Sequence, residues 1–255
     1  MAEYDRFAWL YDIEYNNIVE DVPFYIELFR DIEGSILELG CGTGRLLIPL
    51  ARENHKVTGL DISQKMLDIA RKKISAEPLE IVERISIVKG DMRNFELETL
   101  FGGVLIAFNS FMHLLTIEDQ DRCLEGVYKH LLHRGRFIIS VANMSPEVLE
   151  SHKESYYHNS LFWIDKWQSY LQKYETRLID PVHQIIKLNV FYDLIDRYGR
   201  ITRYVREMLL RYFTRYEMER MFIMHRFKIE ALYGDYDFSS FREDSPYMIW
   251  VLERE

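Results

Sequence analysis

A short apolar segment runs into a glycine-rich turn in the stretch Ile36-Leu37-Glu38-Leu39-Gly40-Cys41-Gly42-Thr43-Gly44. The three glycines occupy alternate positions, and a helical pattern of apolar residues begins directly after them. Glycine accepts positive φ angles and lets the backbone approach a bound molecule closely. The stretch therefore predicts a ligand-binding turn between a first strand and a first core helix.

Strand and helix patterns alternate through the first half of the chain. A helix is predicted over 45–52, a second begins after Ser63 as its N-cap, and a third opens with a capping box at Thr116 and ends before Gly135. Repeated strand–helix units predict a parallel, doubly wound sheet whose ligands bind at the carboxyl ends of the strands. The five predicted strands are 35–39, 56–60, 84–89, 104–108 and 136–142.

The pattern changes after Pro146. Residues 160–213 alternate like antiparallel strands, and segments 184–196 and 201–213 flank a hairpin turn. A second capping box begins at Thr214 and opens a last helix, which is followed by strand patterns at 227–233 and 247–252. We therefore predict a core of residues 1–145 and 214–255 and an antiparallel β insertion of residues 146–213.

Composition limits the class of protein. The chain has 255 residues, 48% of them hydrophobic and 29% charged, which suits one globular α/β domain with an insertion. No apolar run approaches the ~20 residues that span a bilayer, and the acidic N-terminus lacks the basic start of a signal peptide. Two cysteines indicate neither a disulfide framework nor a metal site. We expect a cytoplasmic protein without a metal, and the net charge of -9 weighs against nucleic-acid binding.

The glycine turn resembles motif I of the class I S-adenosylmethionine-dependent methyltransferases, E/D-x-G-x-G-x-G, with Glu38 as its acidic residue. A dinucleotide fingerprint would place its third glycine one position later, where Arg45 stands. The N-terminal stretch Tyr4-Asp5-Arg6-Phe7-Ala8-Trp9-Leu10-Tyr11-Asp12 is similar to the opening of small-molecule members, including sugar-amine N-methylating enzymes. The resemblance implies a seven-stranded, mostly parallel, Rossmann-like sheet with S-adenosyl-L-methionine as cofactor.

The resemblance also implies which strand ends hold the cofactor. Asp61 would accept hydrogen bonds from the ribose hydroxyls, although the ribose of NAD would be held in the same way. Asp91 and Met92 resemble the G-D-x segment that holds adenine by its exocyclic amine and its ring face. The cofactor-binding residues are accordingly predicted to be Tyr11, Glu38, Gly40, Cys41, Gly42, Gly44, Asp61, Ile62, Asp91, Met92 and Asn109.

One histidine follows the fourth strand and is the candidate for catalysis. Methyl transfer from a sulfonium is a direct displacement, so the protein mainly positions and desolvates the reactants. A general base helps when the acceptor is a hydroxyl or an ammonium group. His113 is the candidate base, with a structural role in its apolar surroundings as the alternative. Cys41 is given no nucleophilic role, because nothing near it in sequence would activate a thiolate.

Aromatic residues are concentrated in the insertion, where residues 151–212 hold eight of the 17 tyrosines together with Trp163 and Trp167. Aromatic walls suit a cationic or apolar acceptor. Aromatic residues also favour strands in general, and the same strands could form a homodimer interface. The insertion is therefore predicted to cover the acceptor site, with a dimer interface left open.

The patterns together predict a methyltransferase that acts on an N or O atom of a small molecule. Methyl transfer to RNA or protein is one alternative, although Asn109-Ser110-Phe111 lacks the proline-containing D/N-P-P-Y/F/W motif of base N-methylating enzymes. An NAD-dependent oxidoreductase is disfavoured by Arg45. A non-catalytic cofactor-binding or scaffold protein is the third alternative, because a donor site can persist without turnover.

Overall fold

The computed structural model describes residues 3–145, 148–149 and 156–255. The chain divides into two compact units, Met1–Asn143 with Thr214–Glu255, and Met144–Phe213. Pro146, where the sequence pattern changes, lies outside the described residues, and so do the side chains of Tyr156 and Tyr157.

The first unit is built on a seven-stranded sheet with the order β10-β11-β5-β4-β1-β2-β3. Strands β1 to β5 run parallel to one another, whereas β11 is antiparallel to both β5 and β10. The predicted doubly wound sheet is therefore confirmed. Its strands are β1 Ile36–Leu39, β2 Val57–Asp61, β3 Ile85–Lys89, β4 Phe101–Ile106, β5 Leu131–Ala142, β10 Phe227–Tyr233 and β11 Tyr247–Arg254.

Seven helices belong to the described part of this unit. The Ser63 hydroxyl caps α4 by accepting from the backbone N–H of Met66 at 3.2 Å, as predicted. The capping box of Thr214 and Glu217 is also formed. The helices are α1 Ala8–Tyr15, α2 Val22–Phe29, α3 Leu47–Arg52, α4 Gln64–Ile74, α5 Leu79–Val82, α6 Ile117–His130 and α7 Arg215–Met224.

Two predicted boundaries were wrong. Strand β4 begins at Phe101, three residues before the prediction, because two glycines continue the strand beneath α2. A Cβ at Gly103 would lie 2.6 Å from the ring of Phe29, so this close packing requires glycine. Strand β5 begins at Leu131, five residues before the predicted start at 136, and it follows directly on helix α6, which ends at His130.

The second unit is a four-stranded antiparallel sheet with the order β6-β7-β8-β9. The predicted hairpin is confirmed: its strands close with Ile195 opposite Ile201. The Asp196 carboxylate holds the turn by accepting from the backbone N–H of Tyr198 at 2.8 Å and of Arg200 at 3.0 Å. The strands are β6 Tyr156–Ile164, β7 Ser169–Asp180, β8 Ile185–Ile195 and β9 Ile201–Arg211.

Candidate cofactor and catalytic site

The glycine turn adopts the left-handed conformation at all three glycines, with φ of +74° at Gly40, +55° at Gly42 and +79° at Gly44. A Cβ at Gly40 would lie 2.8 Å from the Ser110 hydroxyl oxygen, so this position needs glycine for conformation and for space. A Cβ at Gly44 would lie 3.2 Å from the Cβ of Ala70, so a side chain has little space at this position as well. The turn therefore packs against the loop after β4 on one side and against α4 on the other.

Asp61 lies at the carboxyl end of β2 and fixes the glycine turn. One carboxylate oxygen accepts from the backbone N–H of Gly42 at 2.8 Å, and the other accepts from that of Ser63 at 2.7 Å. Burial raises the pKa of Asp61, although these two N–H groups oppose the shift. A carboxylate has about four lone-pair sites, so Asp61 can still accept from a ligand hydroxyl beside its backbone donors. The neighbouring Ile62 leaves 47% of its surface exposed, which provides an apolar surface beside this carboxylate.

Glu38 is a buried carboxylate in the middle of the sheet. Its residue surface is only 4% exposed, and its Oε2 atom has no hydrogen-bond partner among the described residues. Burial raises its pKa to about 8; the charge of Arg45 opposes this shift, and Asp21 and Asp61 add to it. Buried polar atoms are normally hydrogen-bonded. A ligand that brings an ammonium group to the glycine turn would satisfy this oxygen.

Arg45, for which the sequence predicted no binding role, lies beside this carboxylate. Its guanidinium donates to both oxygens of Asp21, at 2.5 and 2.7 Å, and to the carbonyl oxygen of Ile18 at 2.9 Å. The same guanidinium lies 5.1 Å from the centroid of the Phe108 ring. Because Asp21 already neutralises Arg45 by a bidentate pair, Glu38 retains the capacity to bind a cationic group.

The N-terminal segment is fastened to the start and the end of α4. The Asp5 carboxylate accepts from the Ser63 hydroxyl at 2.7 Å and from the backbone N–H of Lys65 at 3.2 Å. Lys73 forms an ion pair with Asp12 and donates to the Thr43 hydroxyl at 3.2 Å. These bonds bring α1 against the glycine turn.

This placement of α1 brings Tyr11 next to the glycine turn. A Cβ built on Gly42 would lie 3.8 Å from its ring, and its ring centroid is 4.7 Å from that of Tyr15 and 5.9 Å from that of Tyr4. Burial raises the pKa of the Tyr11 hydroxyl, which therefore stays protonated near neutral pH. Tyr11 thus lies beside the turn, and its contact with the cofactor stays a prediction.

The loop after β4 is strained. Phe108 and Asn109 both have positive φ angles, 51° and 67°, which are unfavourable for residues with side chains. Two hydrogen bonds hold the loop in this conformation. The Ser140 hydroxyl accepts from the backbone N–H of Phe108 at 3.1 Å, and the Asn109 side-chain oxygen accepts from the backbone N–H of Ala142 at 2.6 Å. Asn109 thus fastens the end of β5, a role that the sequence did not reveal.

His113 ends a short 3-10 turn, Ser110–His113, directly after this loop. Its Nε2 atom lies 2.8 Å from the Tyr4 hydroxyl oxygen, and the two ring centroids are 5.3 Å apart. Sequence reasoning did not identify this partner, although Tyr4 opens the N-terminal stretch. The pairing links the candidate base to the same segment that carries Tyr11.

The remaining predicted residues lie nearby in the sheet. Asp91 and Met92 follow β3, whose Lys89 pairs with Asp61 of β2, so the two carboxylates end adjacent strands. The Asp91 carboxylate accepts from the Arg93 guanidinium. Cys41 is buried, and burial raises the pKa of its thiol well above the ordinary value, which fits the absence of a nucleophilic role.

Two features are absent from the described residues. No helix there is long and apolar enough to cross a membrane. In the same residues, no group of three or more histidine, cysteine, aspartate and glutamate side chains could hold a metal ion.

Comparison with known proteins agrees with this geometry. Residues 36–135 match the family model described as a methyltransferase domain. The dTDP-3-amino-3,6-dideoxy-alpha-D-glucopyranose N,N-dimethyltransferase of Streptomyces fradiae is 31% identical over 146 residues, which are 54% of this chain and 54% of that protein. The chain therefore spans about half the length of this curated relative.

Solved structures share the whole fold. The CcbJ methyltransferase from Streptomyces caelestis is 23% identical and superposes with a TM-score of 0.83 over 100% of this chain and 98% of that chain. CalS10 with bound S-adenosylmethionine, an amino pentose methyltransferase from Micromonospora echinaspora, is 19% identical, with a TM-score of 0.70 over 95% and 91% of the two chains. The family match identifies residues 36–135 as a methyltransferase domain, and the superpositions show that the chain has the class I methyltransferase fold; the cofactor of such a domain is S-adenosyl-L-methionine.

Proposed function

We propose that the chain transfers a methyl group from S-adenosylmethionine to an N or O atom of a small molecule. The observation that carries the proposal is the pair of Tyr4 and His113, 2.8 Å apart at the carboxyl end of β4. Their loop borders the glycine turn, since a Cβ on Gly40 would touch Ser110. A tyrosine–histidine pair therefore lies next to the turn that we propose binds the methyl donor.

We assign a role in this reaction to each of the side chains around the glycine turn. When bound, S-adenosylmethionine supplies an electrophilic methyl group on its sulfonium. Glu38 would pair with the ammonium group of the methionine half, and Asp61 would accept from the ribose hydroxyls. The glycine turn would pass beneath the ligand with no side chain in the way at Gly40 and Gly42. Tyr11 would exclude water from this end of the site, which strengthens the polar contacts inside it.

An amine is the acceptor that the site favours. The rings of Tyr4, Tyr11, Tyr15 and Phe108 contact one another in sequence, with centroids 4.7 to 5.9 Å apart. Aromatic faces attract cations and apolar groups. The S. fradiae relative and CalS10 are named for amino-sugar substrates. We further propose that the insertion, residues 146–213, contributes aromatic side chains to acceptor binding.

A methyl-transfer screen with labelled donor would test the proposal. Its acceptors would be amino sugars, other small amines, hydroxylated metabolites, peptides and RNA. We expect labelled product from a small amine or hydroxyl compound. Transfer to RNA or peptides alone would contradict the small-molecule assignment. Binding of donor with no transfer to any acceptor would favour the non-catalytic alternative.

His113→Ala is expected to lower the turnover rate about 100-fold near neutral pH, the usual effect of losing a general base. A proton that leaves the acceptor can reach Nε2 through the Tyr4 hydroxyl, because the two atoms are within hydrogen-bond distance. The measurement is kcat with the acceptor found in the screen. The difference in kcat between wild type and His113→Ala should become smaller as the pH rises, because the acceptor then loses its proton to solvent.

Two further variants make this result specific. His133→Ala removes an exposed histidine and should leave kcat unchanged. Tyr4→Phe keeps the ring but removes the hydroxyl, so it separates proton transfer through Tyr4 from ring packing. A turnover rate of His113→Ala within about threefold of wild type would remove the general-base assignment.

We also propose that the chain forms a homodimer through the insertion. Tyr170 pairs across the sheet with Trp163, and Leu178 pairs with Lys187, which in turn faces Leu209, so these side chains share one face. Among the described residues, that face carries seven large apolar side chains that are at least 45% exposed, and such patches mark interaction surfaces. They are Leu161, Trp163, Tyr170, Leu178, Ile201, Val205 and Leu209.

Substituting lysine at both Leu178 and Leu209 is expected to convert the protein to a monomer, because two buried charges per subunit would face each other across the interface. Sedimentation velocity measures the change, and the donor affinity should remain that of wild type. Wild-type protein that sediments as a monomer, or a double variant that still dimerises, would refute this interface.

The proposed location is the cytoplasm. Cys41 and Cys123 are both free and buried, and neither forms a disulfide. Free thiols are compatible with the reducing conditions of that compartment. A fluorescent fusion, checked for intact length, would test the location.

A further inference from the structure

The carboxylate at the end of β3 is held by a neighbouring arginine. The Arg93 Nε atom lies 3.0 Å from both oxygens of Asp91, and its Nη2 atom lies 2.5 Å from Oδ2. The backbone N–H of Arg93 adds a fourth contact, 3.0 Å from Oδ1. Partial burial would raise the pKa of Asp91, but the hydrogen bonds and the charge of Arg93 outweigh it and lower the pKa. Asp91 is therefore an ionised acceptor in a fixed plane.

The arginine is itself held from the start of α6. Its Nη1 atom lies 3.6 Å from Asp119 Oδ2, and Asp119 also accepts from Arg122 at 2.6 Å. The backbone N–H of Asp119 donates to the Thr116 hydroxyl at 3.1 Å, which confirms that half of the predicted capping box. The side chain of Asp119 is therefore turned toward Arg93 and Arg122. A chain of contacts thus runs from the N-cap of α6 to the carboxylate after β3.

These contacts leave Asp91 with little freedom. A carboxylate has about four lone-pair sites. The guanidinium and the backbone N–H of Arg93 use about three of them, so one directed acceptor site is left. A bidentate arginine fixes the plane of a carboxylate as lysine cannot. The remaining site can accept from an N–H donor and would repel a carbonyl oxygen.

We propose that Arg93 is a positioning residue that makes Asp91 select a purine with an exocyclic amine over one with a carbonyl group. The inference rests on the proposed function and on the adenine contact that the resemblance to methyltransferases implies for Asp91. Arg93 does not contact the ligand in this assignment. It acts by holding the one free acceptor site of Asp91 toward the edge of the ring.

Calorimetry with two ligands would test this selection. S-adenosylhomocysteine carries the amine, and S-inosylhomocysteine carries a carbonyl oxygen at the same ring position. We expect wild-type protein to prefer the first about 100-fold, the effect of one charge-assisted hydrogen bond with its partner left unsatisfied. Arg93→Gln should reduce this preference at least about tenfold, with S-inosylhomocysteine affinity changed by less than about threefold. Arg122→Gln removes a charge that pairs with Glu118 and Asp119 rather than with Asp91, and it should keep the preference.

The variants distinguish this inference from the assignment of Asp91. If Asp91→Asn loses the preference and Arg93→Gln keeps it, Arg93 has no positioning role and the inference is overturned. If Asp91→Asn keeps the preference, the adenine assignment fails and the inference fails with it. Arg93→Lys retains the charge without the bidentate geometry. It should also lose most of the preference, and it provides the test if Arg93→Gln does not fold.

Discussion

Asp61→Ala is expected to lower the affinity for S-adenosylhomocysteine by a factor of about 100 or more. The carboxylate accepts from the backbone N–H groups of Gly42 and Ser63, at 2.8 and 2.7 Å, and is the proposed acceptor for the ribose hydroxyls. Its removal would cost charge-assisted hydrogen bonds to the ligand, each worth about 1.5–3 kcal/mol. It would also leave two N–H groups of the binding turn without their acceptor. Calorimetry with purified protein measures the change.

A matched variant separates binding from folding. Asp68→Ala removes an exposed carboxylate from α4 and should leave the affinity at the wild-type value. Thermal unfolding without ligand shows whether Asp61→Ala still folds. Asp61→Asn keeps one acceptor oxygen and is expected to lie between alanine and wild type. Wild-type affinity in a folded Asp61→Ala protein would take Asp61 out of the cofactor site.

The sheet and the strand ends were accessible from sequence because their signals are local. A short apolar run is enough to indicate a strand. The turn at Gly40 is indicated by its glycines, which the backbone conformation and the close contacts of the turn require. Ser63 and Thr214 lie at the helix starts that their side chains indicated. The carboxyl ends of parallel strands must meet at one edge, so Asp61 and Asp91 could be assigned to adjacent positions.

The rest of the site depends on contacts between distant residues, which no local pattern encodes. The Tyr4 hydroxyl meets Nε2 of His113 across 109 positions of sequence. Asn109 fastens the end of β5 through Ala142, 33 positions away. The environment of Glu38 likewise follows from the packing of the whole sheet. Its residue type was a motif signal, but its raised pKa could not be anticipated from sequence.

Glu38→Gln is expected to stabilise the ligand-free protein at pH 8 and to weaken cofactor binding. The pKa of Glu38 is raised from 4.5 to about 8 by burial, so the folded protein disfavours the ionised carboxylate. The contribution of this group to the free energy of unfolding is therefore complete below about pH 4.5 and is lost as the pH rises through 8. Between these values wild type should lose about 3–5 kcal/mol relative to the glutamine variant. Urea unfolding at several pH values measures this difference.

Binding of the cofactor should depend on the same proton. An ammonium group beside Oε2 favours the ionised carboxylate, so binding below pH 8 must release the proton of Glu38. The affinity of wild type for S-adenosylhomocysteine should thus rise about tenfold from pH 6 to 7.5, whereas that of Glu38→Gln should be lower and nearly flat. Glu33→Gln makes the same change of charge at an exposed position and should follow wild type in both measurements. A flat wild-type profile, or a glutamine variant that binds as tightly as wild type at pH 7.5, would show that the ammonium group does not meet Glu38.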